Sequence, residues 1–288
     1  MAVYKRAYRG YSGALTPQWS RFLILTRYAY RGLFRSRVLT GMFILCLFPF
    51  LFFAAGLYLN HNASAISALQ IRVKNNALIE VNHTLFMSFM GIQFSLAFLM
   101  TAFIGPGLIS PDLANNGLPL YLCRPFSRAE YVLGKFTVLA MLLSYITWIP
   151  ALTLFFIQSS LGGVGWMWEN LWMARAIFLG SWILILVLAF LALALSAWVK
   201  WKPVAGALVL GVMFLGAGLG AAINAVLRTK TGTLLDVGQL ITTVWMDLFR
   251  QQADLGISPI QAWLALIAIC ALCVLLLAKK IKAFEVVK

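Results

Sequence analysis

Apolar residues run through this chain in six long blocks, at about 38–60, 85–109, 131–158, 172–199, 203–226 and 259–278, separated by short polar or basic stretches. A helix needs about 20 apolar residues to cross roughly 30 Å of hydrocarbon, and every block meets that length. The first begins too far into the chain and runs too long for a cleavable signal peptide. Ahead of it the pattern changes. Over 16–36, at 100° per residue, Phe22, Leu23, Ala29, Tyr30, Leu33 and Phe34 share one face and Arg21, Arg27, Arg31 and Arg35 the opposite one. Thr16-Pro17 opens that stretch as a cap followed by a first-turn proline. The pattern predicts an amphipathic helix lying at the headgroup boundary and offering arginine to anionic lipid.

Composition narrows the class. The 288 residues are 62% hydrophobic and 11% charged, against about 25% charged for soluble domains, which excludes a water-soluble fold. The 23 Lys+Arg against 8 Asp+Glu leave a net charge of +15. With six spans such an excess points to a membrane surface rather than to nucleic acid. Its distribution is one-sided. Seventeen of the basic residues fall in the two termini and the even-numbered connections, and six (Arg72, Lys74, Arg175, Arg228, Lys230 and Arg250) in the odd ones. Positive residues stay inside. The expected fold is an all-α integral membrane protein of six transmembrane helices with an N-terminal interfacial amphipathic helix, both termini cytoplasmic. The expected division is a tail and interfacial helix at 1–37 and a six-span domain at 38–288.

The connection after the second span carries the most local information. Gly105-Pro106-Gly107 must disturb the end of that span. Ser110-Pro111-Asp112 then reads as a fresh helix start, with Ser110 as cap and a carboxylate near the positive dipole end. Asn115-Asn116-Gly117 supplies a left-handed terminator, so the helix is short. Ser127-Arg128-Ala129-Glu130 is a capping box that opens the third span. Capping alone serves an ordinary connector as well as a segment built to be pushed.

The run Asp112, Gly117-Leu118-Pro119-Leu120-Tyr121-Leu122, Arg124-Pro125-Phe126-Ser127-Arg128 and Tyr131-Val132-Leu133-Gly134-Lys135 resembles the loop between spans two and three of type-2 ABC permeases. These are the six-helix membrane subunits of ATP-driven exporters. The resemblance extends to the interfacial helix, the six spans and a long outer connection between spans five and six. It implies that 110–130 is a cytoplasmic coupling segment docking on a separate ATP-binding-cassette subunit. The contacts it implies are Asp112, Leu113, Asn115, Asn116, Arg124 and Arg128, with Ser110 at the head of the segment. It further implies a permease that exports through a path formed with a second permease subunit, identical or not, in a bacterial inner membrane. On this reading ATP and magnesium belong to the ATPase, and this chain holds no cofactor. A scaffold that passes ATPase motion to a partner without moving a solute is the alternative.

The remaining signals are weaker. The chain has no phosphate-binding loop, since Gly134-Lys135 is followed by Phe136 and lacks the upstream glycine spacing. The spans carry no mid-depth carboxylate or base of the kind ion-coupled transporters use. An ATPase on another polypeptide is the motor these absences leave. Cys270 and Cys273 lie in an apolar span and His61 and His83 lack convergent carboxylates, so neither pair is expected to bind metal. No catalytic constellation is visible. Gly216 and Gly220 form a Gly-x-x-x-Gly pair continued by Asn224 on one face of span five. Such a face packs closely against another helix, in the same chain or, as the resemblance implies, across a dimer. The connection 227–258 resembles an outer re-entrant or lid segment. Phe89, Gln93 and Met100 share a face of span two that could line a path for amphipathic or apolar cargo, or could simply pack.

Overall fold

The computed structural model describes Pro17 and residues 20–62, 81–117, 121, 127–251 and 256–281. Among these the regular structure is helical, with no strand. The elements are α1 (Arg21–Leu33), α2 (Arg37–His61), α3 (His83–Ile104), α4 (Pro106–Ala114), α5 (Arg128–Ile146), α6 (Trp148–Trp198), α7 (Lys202–Leu227), a 3₁₀ turn (Thr231–Leu235), α8 (Val237–Leu248) and α9 (Pro259–Lys280).

Among the described residues five stretches are long and apolar enough to cross a membrane, and one of them, Arg128–Trp198, contains 71 residues. At 1.5 Å per residue a straight helix of that length would reach about 105 Å. It does not run straight. Gly163 takes φ 86° and ψ 166°, a region open in practice to glycine alone. Phe155 and Trp166, on either side of it, bring their ring centroids within 5.4 Å. Trp148 and Phe178 meet at 5.4 Å, and Phe136 stacks on Phe190 at 5.0 Å. The pairs step outward from Gly163 in both directions, as only a hairpin of two antiparallel arms allows.

Capping follows the local sequence at the starts of α2, α3, α5, α8 and α9. Ser127 and Glu130 form the expected capping box on α5, and Ser258 and Gln261 form another on α9. Asn82 accepts from the amides of Thr84 and Leu85 to open α3. The core lies where α3 and the two hairpin arms meet: Phe86, Phe89, Leu139, Leu143, Phe155 and Leu188 are fully buried. By contrast α2 turns Ile44, Phe48 and Phe52 outward at 63–64% exposure. On α8, Leu240, Ile241 and Val244 are buried, and the Trp245 indole donates to the Gly180 carbonyl at 2.9 Å. That helix is seated in the bundle.

Two expectations near the helix starts change. The first helix begins at Arg21 after Ser20, and Thr16, its expected cap, lies outside the described residues. The short helix α4 starts at Pro106, so Ser110 is not its cap but sits inside it. The proline placement explains this. Pro106 has no N–H to lose at the first helical turn, so the helix restarts at the break rather than four residues later.

Candidate functional site

Contacts between helix ends gather α1, α4, the first turns of α5, the last turns of α6 and the start of α7 at one end of the bundle. This is the basic end. Its exposed cations include Arg27, Arg31, Arg35, Lys200 and Lys202.

The break between α3 and α4 is held open from α6. Pro111 stands inside α4, and a proline gives its helix no N–H to donate. A side chain from α6 also reaches this turn. The Ser196 hydroxyl donates to the Pro106 carbonyl at 3.1 Å and accepts from the Ser110 amide at 3.0 Å and the Ile109 amide at 3.3 Å. It thus bridges a carbonyl and two amides in the first turns of α4, a side-chain insertion of the kind that accompanies helix bending. The Ser110 hydroxyl in turn donates to the Ser196 carbonyl at 3.0 Å. Both serines are fully buried, so Ser110 offers no surface to a docking partner and instead fastens α4 to the hairpin.

On the other flank of α4, Asp112 reaches α5. Its carboxylate lies 2.8 Å from the Lys135 ammonium and accepts from the Tyr131 hydroxyl at 2.7 Å. Tyr131 and Lys135 are one turn apart, the spacing at which helix side chains meet. The ammonium sits 5.4 Å above the Tyr131 ring, and the Tyr121 ring lies 5.6 Å from that of Tyr131. Tyr131 is fully buried. The ion pair keeps 11% of the lysine side chain and 18% of the aspartate side chain exposed, so it is shielded from most of the solvent that weakens surface pairs. Burial, and then the Asp112 charge, raise the Tyr121 phenol above its ordinary range.

From outside, α1 lies across the same turns of α5. The Thr26 hydroxyl donates to the Gly134 carbonyl at 3.1 Å and the Tyr30 hydroxyl to the Val138 carbonyl at 3.0 Å. A Cβ on Gly134 would stand 3.0 Å from the Phe22 carbonyl oxygen, so glycine sets the closeness of that crossing. Burial raises the Tyr30 phenol as well. The apolar side of α1 is therefore packed in part against protein, and its arginines face out.

What α4 leaves exposed is its tip. Ala114, Asn115 and Asn116 are exposed, with Asn116 at φ 51° ending the helix, and Arg128 is exposed on the first turn of α5. Leu113 is partly buried against the core. Arg124 lies outside the described residues. A short helix with a fixed base and a bare polar tip, projecting from a bundle of membrane-length helices, is the arrangement expected of a docking segment. The sequence pattern of an ABC-2 family transporter protein matches residues 33–286. The chain belongs to that family. No curated protein matches it. As an ABC-2 protein it is the membrane component of a transporter rather than its ATPase, and the family works with ABC ATPase subunits in general.

Other residues singled out in the sequence fall elsewhere. A Cβ on Gly216 would lie 2.5 Å from the Leu235 carbonyl oxygen, and one on Gly220 would lie 2.5 Å from that of Gly232. The Asn224 side chain accepts from the Gly232 amide at 2.7 Å. The small face of α7 is thus filled by the 3₁₀ turn of its own chain, the same-chain alternative of the two the sequence allowed. Phe89, Gln93 and Met100 are no more than 1% exposed. Phe89 packs on Phe53 at 5.4 Å, and Gln93 donates to the Cys46 carbonyl at 3.1 Å. That face of α3 packs on α2 within the subunit.

Lys135, Tyr131 and Ser196 were not foreseen as site residues. A serine near the end of an apolar span carries no distinguishing signal. The turn spacing of Tyr131 and Lys135, opposite a lone loop carboxylate, does carry one.

Proposed function

We propose that this ABC-2 protein is the permease subunit of an ATP-driven exporter, paired with a second permease subunit and served by two ATP-binding-cassette subunits. The observation that carries the reading is the bare tip of α4, Ala114-Asn115-Asn116, on a base locked by Ser196 and by Asp112 with Lys135. A push on a short helix is transmitted only if the base cannot yield. Here the base is tied to both arms of the hairpin. ATP and magnesium would stay on the ATPase, and this chain would receive its motion. With the hairpin counted as two crossings, the chain passes the membrane six times and its basic end faces the cytoplasm of the cell that makes it. The outward apolar surfaces of α2 and α7, including Phe48, Phe52, Phe214 and Leu215, are those left for lipid and for the second subunit.

The experiment is co-purification with the cognate ATPase, followed by hydrolysis measured across a ligand panel. Ala114→Arg with Asn115→Lys should leave the protein in the membrane and paired with its second subunit, yet abolish ATPase capture. An unchanged yield of ATPase with that variant would refute the docking role of α4.

A further inference from the structure

We propose that a groove between α3 and α7 at the basic end holds an acyl chain of an anionic phospholipid, with its phosphate on Lys202. The groove is a cavity of about 420 Å³, within the range of ligand clefts. Its lining is apolar apart from one cation: Ala102 and Phe103 from α3, Gly206, Ala207 and Leu210 from α7, and Lys202. Small residues cut it. A Cβ on Gly206 would already stand 3.1 Å from the Ala102 carbonyl oxygen, so the two backbones nearly touch and form a floor. Phe103, 52% exposed, and Leu210 supply the walls.

The occupant's chemistry follows from what surrounds Lys202. Its side chain runs along Gly107, with Cε 3.3 Å and Nζ 3.4 Å from where a Cβ would be. Among the described residues it makes no ion pair. Lys200 is exposed beside it, Trp201 is 75% and Trp198 48% exposed, and the Lys280 ammonium lies 5.1 Å over the Trp198 ring. Exposed tryptophans among lysines mark the headgroup level of a bilayer. An apolar slot running inward from that level fits a fatty chain, and an uncompensated ammonium at its mouth fits a phosphate. A zwitterionic headgroup brings its own cation to that lysine cluster, whereas an anionic one does not, so net negative charge should decide the preference. The bound chain would touch both α7 and the break that opens α4. The inference rests on the basic end lying in a membrane interface and requires no ATPase and no cargo.

The test is native mass spectrometry of the delipidated full chain in detergent. It is titrated with phosphatidylglycerol, with phosphatidylcholine of the same acyl chains, and with inorganic phosphate. The first phosphatidylglycerol should bind at least ~10-fold more tightly than phosphatidylcholine, and inorganic phosphate should not compete. Lys202→Gln should remove the preference and Ala207→Phe should weaken both lipids, while Arg175→Gln, at the far end, changes neither. Equal binding of the two lipids, preference surviving Lys202→Gln, or displacement by free phosphate would each overturn the proposal. Should Ala207→Phe fail to fold, the Lys202→Gln comparison decides alone.

Discussion

The carboxylate of Asp112 on α4 lies 2.8 Å from the ammonium of Lys135 on α5, and the Tyr131 hydroxyl binds the same oxygen. Asp112 thus has its bonding directed inward, toward the hairpin. What it contributes to α4 is rigidity. Its neighbours Ala114, Asn115 and Asn116 stay exposed.

Removing one partner of this pair should cost more than removing both. A fully buried pair broken on one side costs about 3–5 kcal/mol, and partial exposure here lowers that to about 1–3 kcal/mol. Asp112→Asn and Lys135→Met should each lower the unfolding midpoint in detergent, and the double variant should recover part of the loss. Strict additivity of the two changes would show that the ion pair contributes nothing.

Ser196→Ala should be more damaging than Ser110→Ala. The first removes the hydroxyl that bridges the Pro106 carbonyl with the Ser110 and Ile109 amides, at about 1–3 kcal/mol for each group that finds no other partner. The second removes a single donor to the Ser196 carbonyl. Thermal unfolding ranks the two, and ATPase stimulation should fall in the same order because both variants loosen the base of α4. A reversed order would mean that the Ser196 hydroxyl does not hold the base of α4.

Gly220→Leu should destabilise the individual subunit, because the added side chain collides with the 3₁₀ turn at Gly232. Subunit stoichiometry, read by light scattering in detergent, should be unchanged in whatever fraction folds. Loss of association with the unfolding midpoint intact would restore the reading of this face as a subunit contact.

Gly134→Leu should lift α1 from α5, since only glycine fits beneath the Phe22 carbonyl. Tyr30→Phe removes one hydrogen bond and should cost about 0.5–1.5 kcal/mol. Hydrogen exchange over Arg21–Leu33 should quicken strongly in the first variant and slightly in the second. Equal protection in both would show that α1 is held by lipid alone.

For the orientation, single cysteines at Glu169 and Thr229, both exposed, are introduced into a chain lacking the native ones. They should react with an impermeant thiol reagent applied to intact cells. A cysteine at Lys200 should react only after lysis. The reverse pattern would invert the assigned topology.

The helices were legible in the sequence because apolar length and capping are local properties. Ser127 with Glu130 and Ser258 with Gln261 announce their own capping boxes, and Asn116 its left-handed turn. The partner of a small face is not local. Gly216 and Gly220 specify that something comes close, and the residue that does so, Gly232, was reachable only through the path of the connection. Gly105-Pro106-Gly107 marked a break without showing that a hydroxyl from α6 would occupy it. The hairpin was legible as two blocks of apolar residues, 131–158 and 172–199, and Gly163 lies in the gap between them. Asp112 was singled out as a contact for a partner, and its charge points into the fold, because Lys135 sits one turn beyond Tyr131 on a helix the loop must return to.

The hairpin arm from Arg128 to Gly162 also has a mechanical consequence. Lys135 lies near one end of it and the Gly163 turn closes the other, about 40 Å away at helical rise. Thr147, at φ −101° and ψ −90°, divides that arm between α5 and α6, so it is two rods with a joint rather than one beam. A rotation about the Gly163 turn reaches the Asp112 attachment point only as far as that joint is stiff, and the packing around Thr147, which is buried, sets how much of the swing arrives.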